Sequence, residues 1–252
     1  AVDSGVRVVT GAGLPVERNI AYRAFRPLVE DLLGLQGDDV SERRVQALYK
    51  VAEIEGMAQL APLLDAIVPL DLEDNDRTRP LQGEARARQT HELIIRLVQA
   101  EVDKAPLLLV IEDAHWLDSA SWRLLRDLQL GVRGAGLLIA TRPLAEPAPE
   151  MYAPISGEAN TQVLRLQGLS QDDAAQLAAQ RLGVASIPAE VAGLISGRAD
   201  GNALYIEELA HVLRDNGCLR IEGGVCELAV PVEELSRLPL PATVEGLIVS
   251  RV

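Results

Sequence analysis

The feature that most constrains the fold is an aliphatic run that ends in two acidic residues. Leu107–Ile111 is five consecutive aliphatic residues, and Glu112 and Asp113 follow directly. An uninterrupted run of this kind is typical of a central parallel strand that is covered on both faces. In open α/β sheets, ligands bind beyond the carboxyl ends of the strands. The run therefore predicts a buried strand with two carboxylates at a ligand-binding edge; the alternative is that the acids only cap the next helix.

The residues around this strand predict a β-α-β unit. A helix is expected over Ser119–Leu130 and a second buried strand over Leu137–Ala140. Strand, helix and strand at this spacing are expected to form a right-handed crossover. The β-branched run Val6–Thr10 predicts a further strand, and Gln162–Leu166 predicts another. Together these segments predict an α/β core with a parallel sheet.

The chain between Val6–Thr10 and Leu107–Ile111 is predicted to be largely helical. Apolar residues recur there at helical spacing, most regularly in the last of four segments. The predicted helices are Tyr22–Leu33, Ser41–Val51, Gly56–Ile67 and Gly83–Val102. The acidic stretch Asp71–Asp76 is expected to be a surface loop between the third and fourth helices.

A second, helical domain is predicted to begin after Gly168, where alanine-rich segments replace the strands. Its expected elements are the helices Gln171–Leu182, Pro188–Gly197, Ala203–Asn216 and one from Pro241 onward, with a β-hairpin over Cys218–Leu228. The hairpin would place Cys226 opposite Arg220 or Ile221 rather than Cys218, so both cysteines are expected to be free thiols. We therefore expect two domains, 1–168 and 169–252, the first truncated at its N-terminus and the second at its C-terminus.

Charge and hydropathy argue against two kinds of partner. The 252 residues carry a formal net charge of −13, which would repel a nucleic-acid backbone. No apolar run approaches the roughly 20 residues that a membrane-spanning helix requires. Residues 1–5 also lack the pattern of a secretion leader. We therefore expect a cytoplasmic protein that makes no direct contact with nucleic acid or membrane.

The residues that follow the acidic strand extend the pattern and resemble a known family. Glu112–Ser121 reads Glu-Asp-Ala-His-Trp-Leu-Asp-Ser-Ala-Ser, which resembles the pattern D/E-D-x-H-W-x-D-x-x-S of the STAND class of P-loop signalling ATPases. The aliphatic run then corresponds to the Walker B strand of that class. The resemblance implies that Glu112 holds Mg²⁺, directly or through water, and that Asp113 contacts the metal shell and orients the attacking water.

The other polar residues of this segment have expected roles in the loop. Either Asp118 or Ser119 is expected to cap the helix that follows. Trp116 is expected to pack rather than to bind a ligand. His115 is expected to hydrogen-bond the loop, and the sensing of phosphate is the alternative.

Three further segments agree with the same family in order and spacing. Leu137–Arg142 resembles its sensor strand, whose terminal polar residues face the γ-phosphate. Gly201–Leu209 resembles the motif GNPLFIEEL near the adenine, with alanine in place of the proline. Leu240–Arg251 resembles the segment that closes the helical domain. The nucleotide-binding residues implied are Thr141, Arg142, Gly201, Asn202 and Ala203.

The Walker A loop, G-x-x-x-x-G-K-[S/T], is absent from the sequence. Its backbone amides and lysine hold the phosphates in P-loop proteins, but the only lysines here, Lys50 and Lys104, do not follow a glycine. Either the loop lies upstream of Ala1, which we prefer, or the domain has lost it. Val8–Gly13 suggests a dinucleotide-binding turn, but Val16 stands where that fingerprint needs a glycine. The glycines are instead expected to permit a turn after the strand.

The resemblance implies an α/β parallel-sheet P-loop NTPase core that lacks its P-loop strand, followed by a small helical lid domain with a β-hairpin. The first functional hypothesis is an ATP-hydrolysing regulatory switch in a larger signalling protein, such as one linked to a cyclase or a LuxR-type transcription activator. ATP and Mg²⁺ would be its cofactors, and its partners would be output and sensor domains of the same protein and further copies of itself. The second hypothesis is a non-catalytic scaffold. The chain alone is expected to lack ATPase activity.

Overall fold

Three parallel strands form the sheet on which the candidate site is built. They are β1 (Arg7–Ala12), β2 (Leu107–Glu112) and β3 (Gly136–Ile139). The order is β1-β2-β3, so the aliphatic strand is the central one, and its last residue, Glu112, lies opposite Ala12. The parallel sheet with an aliphatic central strand is therefore confirmed. The computed structural model describes residues 5–235 of the chain.

Five described α-helices accompany this sheet in the first part of the chain. Those found within the described residues are α1 (Arg26–Leu33), α2 (Val40–Ala52), α3 (Gly83–Val102), α4 (Ser119–Gly131) and α5 (Tyr152–Ser156). Leu109 and Ile111 of β2 belong to one buried apolar cluster with Leu97 of α3 and Leu125 of α4. The cluster fixes the central strand, and with it the position of the acidic residues at its end.

Two predicted helices differ from the structure for local reasons. The helix predicted over Tyr22–Leu33 begins only at Arg26, because Tyr22 has left-handed backbone angles of φ 60° and ψ 9° and only a short 3₁₀ turn separates it from α1. The segment predicted as a helix over Gly56–Ile67 is a 3₁₀ helix over Ala58–Ala66 that contains Pro62. Proline has no N–H to donate and its ring disfavours a regular α-helix at that position.

The strand predicted over Gln162–Leu166 is wrong. Residues 161–170 have no strand or helix, and the side chains of Val163, Leu164 and Leu166 are 49%, 73% and 96% exposed. An aliphatic pattern indicates that a segment can be extended, but a strand also requires a neighbouring edge to which its backbone can hydrogen-bond. The local sequence cannot supply that edge.

A cluster of ion pairs around the buried side chain of Glu101 joins β1, α2 and α3. Glu101 of α3 has a side chain that is only 7% exposed, and it pairs with Arg7, with Lys50 Nζ at 2.8 Å and with Lys104 Nζ at 2.9 Å. Burial by itself raises the pKa of Glu101, but the hydrogen bonds and charges of Lys50 and Lys104 outweigh burial and lower the pKa to about 2. Both lysines of the chain are therefore committed to this cluster.

Helices and one hairpin form the second part of the chain, and the chain divides into two compact units, Ala1–Val163 and Leu164–Val252. The described elements of the second unit are α6 (Gln171–Leu182), α7 (Ala189–Ala199), α8 (Ala203–Asp215), β4 (Leu219–Glu222), β5 (Val225–Leu228) and α9 (Val232–Leu235). Ala178, Ile195 and Ile206 bring α6, α7 and α8 into one buried cluster. The helix predicted from Pro241 and the motif Leu240–Arg251 lie outside the described residues.

The hairpin contains both cysteines. In the antiparallel pairing of β4 with β5, Cys226 lies opposite Ile221, and Cys218 precedes β4. Both thiols are buried and free, as expected, and burial raises the pKa of each. Among residues 5–235, no helix is long and apolar enough to cross a membrane.

Candidate functional site

Backbone hydrogen bonds hold the carboxyl ends of the three strands together. The N–H of Gly13 donates to the Glu112 carbonyl, the N–H of Ala140 to the Ile111 carbonyl, and the N–H of Ala114 to the Ala140 carbonyl, each at 2.9 Å. Because the strands are parallel, the residues that follow each of them gather at one edge of the sheet. The loop that begins at Asp113 is therefore held at both sides by its neighbours.

Glycines 11 and 13 are required by close backbone contacts rather than by a turn. A Cβ atom on Gly11 would lie 2.3 Å from the carbonyl oxygen of Ala24, and one on Gly13 would lie 2.5 Å from the carbonyl oxygen of Asp113. Gly11 belongs to β1, and neither glycine is among the described glycines with positive φ. The expectation that these glycines permit a turn is corrected: they allow the backbone of other segments to approach the end of β1.

The two acidic residues are exposed at this edge. Glu112 is the last residue of β2, and the Asp113 side chain is 56% exposed. Asp113 has left-handed backbone angles of φ 50° and ψ 41°, a conformation that is uncommon for a residue with a side chain. Within the described part of the chain, neither carboxylate accepts a hydrogen bond. The interpretation that the acids only cap the next helix is wrong, because α4 has a different cap.

Asp118 is the residue that caps α4. Its Oδ1 accepts hydrogen bonds from the N–H groups of Ala120 at 2.8 Å and Ser121 at 3.0 Å. Its Oδ2 accepts the Ser121 hydroxyl and the N–H of Tyr22 at 3.2 Å. One carboxylate thus accepts hydrogen bonds from the free N–H groups in the first turn of α4 and also fixes the loop that leads from β1 to α1. Of the two predicted caps, Asp118 is the one that the structure uses.

Replacing Asp118 tests this double role. We expect Asp118→Ala to lower the free energy of unfolding by about 1–2 kcal/mol, the range for a lost helix cap, as measured by urea unfolding. Asp39 is a matched control, because its Oδ1 caps α2 through Ser41 and Glu42 without the extra contact to a distant loop. Asp118→Ala should lower the free energy of unfolding more than Asp39→Ala does. Equal losses would show that the hydrogen bond to Tyr22 does not contribute to stability.

A chain of side-chain hydrogen bonds behind this loop was not predicted. The Tyr22 hydroxyl lies 2.9 Å from His91 Nε2, and His91 Nδ1 lies 2.6 Å from Asp127 Oδ2. His91 is buried, and it connects α3 to α4 and to the end of the β1–α1 loop. The three residues are far apart in the sequence, so no local spacing could have predicted these hydrogen bonds.

His115 does not make the predicted hydrogen bond to the loop, so that expectation is wrong. Its side chain is 11% exposed, and neither Nδ1 nor Nε2 has a hydrogen-bond partner among the described residues. The ring packs beside Trp116, with ring centroids 4.9 Å apart. The nearest carboxylate oxygen is Asp113 Oδ1, at 3.8 Å from Nδ1, which is too long for a hydrogen bond.

Thr141 and Arg142 follow β3 after one intervening residue. Both are exposed, and the Thr141 hydroxyl donates to the Arg142 carbonyl at 2.9 Å. Within residues 5–235, Arg142 forms no ion pair. The structure thus places both residues after the strand that neighbours Glu112 and Asp113, and it leaves the guanidinium unpaired there.

The three candidate residues of the second unit have structural roles. Gly201 has φ 72°, its carbonyl accepts the N–H of Leu169 at 2.9 Å, and a Cβ atom on it would lie 2.7 Å from Gly168. Asn202 caps α8 by accepting the N–H of Tyr205 at 3.1 Å, and Ala203 is the first residue of that helix. This geometry explains the glycine and the asparagine without a ligand, and it leaves a nucleotide-binding role a prediction.

The carboxylates fit magnesium only as part of a larger ligand set. Carboxylate oxygens are suitable ligands for Mg²⁺, which usually keeps several waters and binds one or two carboxylates together with substrate phosphates. Within the described residues, no group of three or more histidine, cysteine or acidic side chains could hold a metal ion. The carboxylates of Glu112 and Asp113 would therefore suit a magnesium ion that arrives with a phosphate, rather than a metal site made by the described residues alone.

Two models of protein families match the chain, one in each of its two parts. Residues 170–227 match a domain of unknown function (DUF8739), and residues 1–139 match the AAA ATPase domain. No curated protein and no solved structure matches the chain. The match to the AAA ATPase domain includes β1, β2 and β3 and therefore also Glu112 and Asp113. Members of that family bind ATP with Mg²⁺. Because this match covers more than half of the sequence, the chain belongs to the AAA ATPase domain family.

Proposed function

We propose that this chain is the nucleotide-responsive switch module of a larger signalling protein of the STAND class, and that it hydrolyses ATP when its phosphate-binding loop is supplied. The supporting observation is the pair Glu112 and Asp113. The two carboxylates end the central strand of an AAA ATPase domain, and no hydrogen bond within the described residues occupies them. In open α/β folds, ligands bind beyond the carboxyl ends of the parallel strands, so two acids without hydrogen bonds at that edge are placed to contact a ligand.

Each residue at the edge would have a separate task in the proposed reaction. Magnesium bound with ATP neutralises negative charge on the phosphate oxygens. The Glu112 carboxylate would hold the magnesium shell directly or through water, and the Asp113 carboxylate would accept a hydrogen bond from the attacking water. The exposed guanidinium of Arg142, with the Thr141 hydroxyl beside it, would contact the γ-phosphate and report its presence.

The phosphate-binding half of the site is not supplied by the described sequence. The chain has no Walker A motif, and its two lysines, Lys50 and Lys104, are paired with Glu101. We infer that the loop comes from a segment upstream of Ala1 in the natural protein. In the same proposal, the helical unit that contains Gly201–Ala203 acts as a lid whose closure on ATP is transmitted to output and sensor domains and controls self-association.

Calorimetry on the protein extended upstream of Ala1 tests this function. We expect saturable binding of magnesium-ATP and slow hydrolysis, and we expect Asp113→Asn to abolish turnover while retaining binding, because the amide keeps the size of the carboxylate but loses its charge. The 252-residue chain alone should show no turnover. A protein that contains a Walker A lysine and yet binds no magnesium-ATP would contradict the switch proposal.

The alternative proposal is a scaffold that keeps the ATPase fold without nucleotide. Two observations favour it: the missing phosphate loop, and Ala203 at the position where the resembling motif has proline. The upstream sequence separates the two proposals, because a G-x-x-x-x-G-K-[S/T] motif one strand and one helix before Val6 would supply the missing lysine. Its absence there, together with no ATP binding, would support the scaffold.

A further inference from the structure

We propose that His115 is a positioning residue for Asp113: its imidazole hydrogen-bonds the Asp113 carboxylate when magnesium-ATP is bound, and so fixes the carboxylate that orients the attacking water. This inference rests on the proposed function and adds a residue to it. It begins from a conflict in the structure, because the His115 ring is almost fully enclosed and yet makes no hydrogen bond.

The polarity of the His115 ring has no role in the described fold. Both ring nitrogens are buried and lack partners among residues 5–235, and a buried polar group without a partner costs free energy. A carbon ring of similar size would keep the packing against Trp116 and would avoid that cost. Asp118, which ends the same loop, differs in this respect, since its carboxylate accepts hydrogen bonds from Ala120 and Ser121 that explain it.

Asp113 is the partner that the geometry favours. His115 Nδ1 lies 3.8 Å from Asp113 Oδ1, so a movement of about 1 Å would give an ordinary N–H···O hydrogen bond. The Asp113 side chain is 56% exposed and has no other hydrogen bond within the described part of the chain, so it is free to rotate. Catalytic hydrogen bonds are often long without substrate and shorten when it binds.

The backbone leaves only the side chains to move. The N–H of Trp116 donates to the Asp113 carbonyl at 2.9 Å, and the N–H of Ala114 is held by the Ala140 carbonyl. These bonds fix the distance between the backbone of Asp113 and the backbone of His115 in the 3₁₀ turn Ala114–Trp116. A phosphate oxygen is a less suitable partner, because the His115 nitrogens are enclosed whereas the Asp113 carboxylate lies beside them.

Two variants of His115 separate a positioning role from a packing role. His115→Phe keeps a ring and removes both nitrogens, and His115→Asn keeps an N–H close to the position of Nδ1. In the full-length protein we expect His115→Phe to lower kcat about tenfold to a hundredfold, the loss typical when the hydrogen-bonded neighbour of a ligating carboxylate is removed. We expect KM for ATP to change little and His115→Asn to restore most of the turnover.

The melting temperature separates a positioning role from a structural one. If the His115 nitrogens stabilised the fold, removing them would lower the melting temperature. In the 252-residue chain, the melting temperature of His115→Phe should be unchanged or raised, because an unpartnered polar group has been replaced by an apolar one. Trp122→Phe is the matched control for turnover: it removes another buried nitrogen that lacks a partner, Nε1, from a residue 2% exposed on α4. It should leave kcat and KM unchanged.

Each other result overturns the inference in a distinguishable way. Full turnover by His115→Phe would show that the ring nitrogens are not used. A lowered melting temperature in both His115 variants, with equal losses of turnover, would assign the residue to packing. A raised KM with unchanged kcat would assign it to phosphate binding. If the unaltered full-length protein binds no magnesium-ATP, the proposed function fails first and the inference fails with it.

Discussion

Replacing Glu101 with glutamine is expected to lower the free energy of unfolding by about 2–3 kcal/mol at neutral pH. The lowering of its pKa from the ordinary 4.5 to about 2 corresponds to about 3 kcal/mol of preference for the charged form. The lower end of the expected range allows for solvent screening at Arg7 and Lys104, whose side chains are 38% and 54% exposed. Urea unfolding followed by the fluorescence of the two tryptophans, Trp116 and Trp122, would measure the loss.

The pH dependence of this loss has a definite sign. Because the folded-state pKa of Glu101 is lowered, its stabilisation is fully present above pH 4.5 and is lost as the pH falls toward 2. The difference between the unaltered chain and Glu101→Gln should therefore be constant near neutrality and shrink over that acidic range. Glu53→Gln is the control, since Glu53 lies 3.8 Å from Lys50 but is 65% exposed. If Glu53→Gln lowered the free energy of unfolding as much as Glu101→Gln does, the burial of Glu101 would not explain the strength of its ion pairs.

Gly13→Ala is expected to lower the free energy of unfolding by about 1–3 kcal/mol, the usual cost of forcing an extra methyl group into a packed site. The new Cβ would lie 2.5 Å from the Asp113 carbonyl oxygen and 3.0 Å from Trp116 Cβ. A backbone oxygen cannot rotate away, so the loop that carries the candidate catalytic acid must shift. Urea unfolding would measure the cost, and the fluorescence spectrum of the folded variant would report the shift at Trp116.

Gly193→Ala is the control for the loss of a glycine as such. Gly193 lies within α7, and a Cβ atom there would meet nothing within 4 Å. Alanine in a helix is favoured over glycine by about 0.5–1 kcal/mol, so this change should be neutral or stabilising. A Gly13→Ala variant as stable as the unaltered chain would show that the contact with Asp113 is not close.

The sequence predicted the elements whose signals are local. The bounds of α3 were predicted as observed, because its buried residues recur at helical spacing over the whole of Gly83–Val102. Leu107–Ile111 was predicted as the central strand because aliphatic side chains fill every position. The position of Glu112 and Asp113 then follows directly, since the end of a strand fixes the residues that come after it.

Features that depend on distant residues could not be predicted. The strand expected at Gln162–Leu166 is absent because an extended segment requires a neighbouring edge. The convergence of Arg7, Lys50 and Lys104 on Glu101 needs three elements to meet. The hydrogen bond expected for His115 depends on which atoms surround its ring. In each case the sequence specifies the side chain, and the tertiary fold chooses its neighbours.

The contact between Gly13 and the Asp113 carbonyl has an evolutionary consequence. It joins one backbone to another, so it constrains the residue at position 13 and places no demand on the side chain at position 113. Asparagine adopts left-handed backbone angles such as those of Asp113 more readily than most residues do, so a descendant of this protein could lose the negative charge at position 113 and keep the same turn at the end of β2. The shape of the turn and the negative charge that it carries are therefore separable: position 13 requires a glycine, and position 113 requires a residue that tolerates left-handed backbone angles.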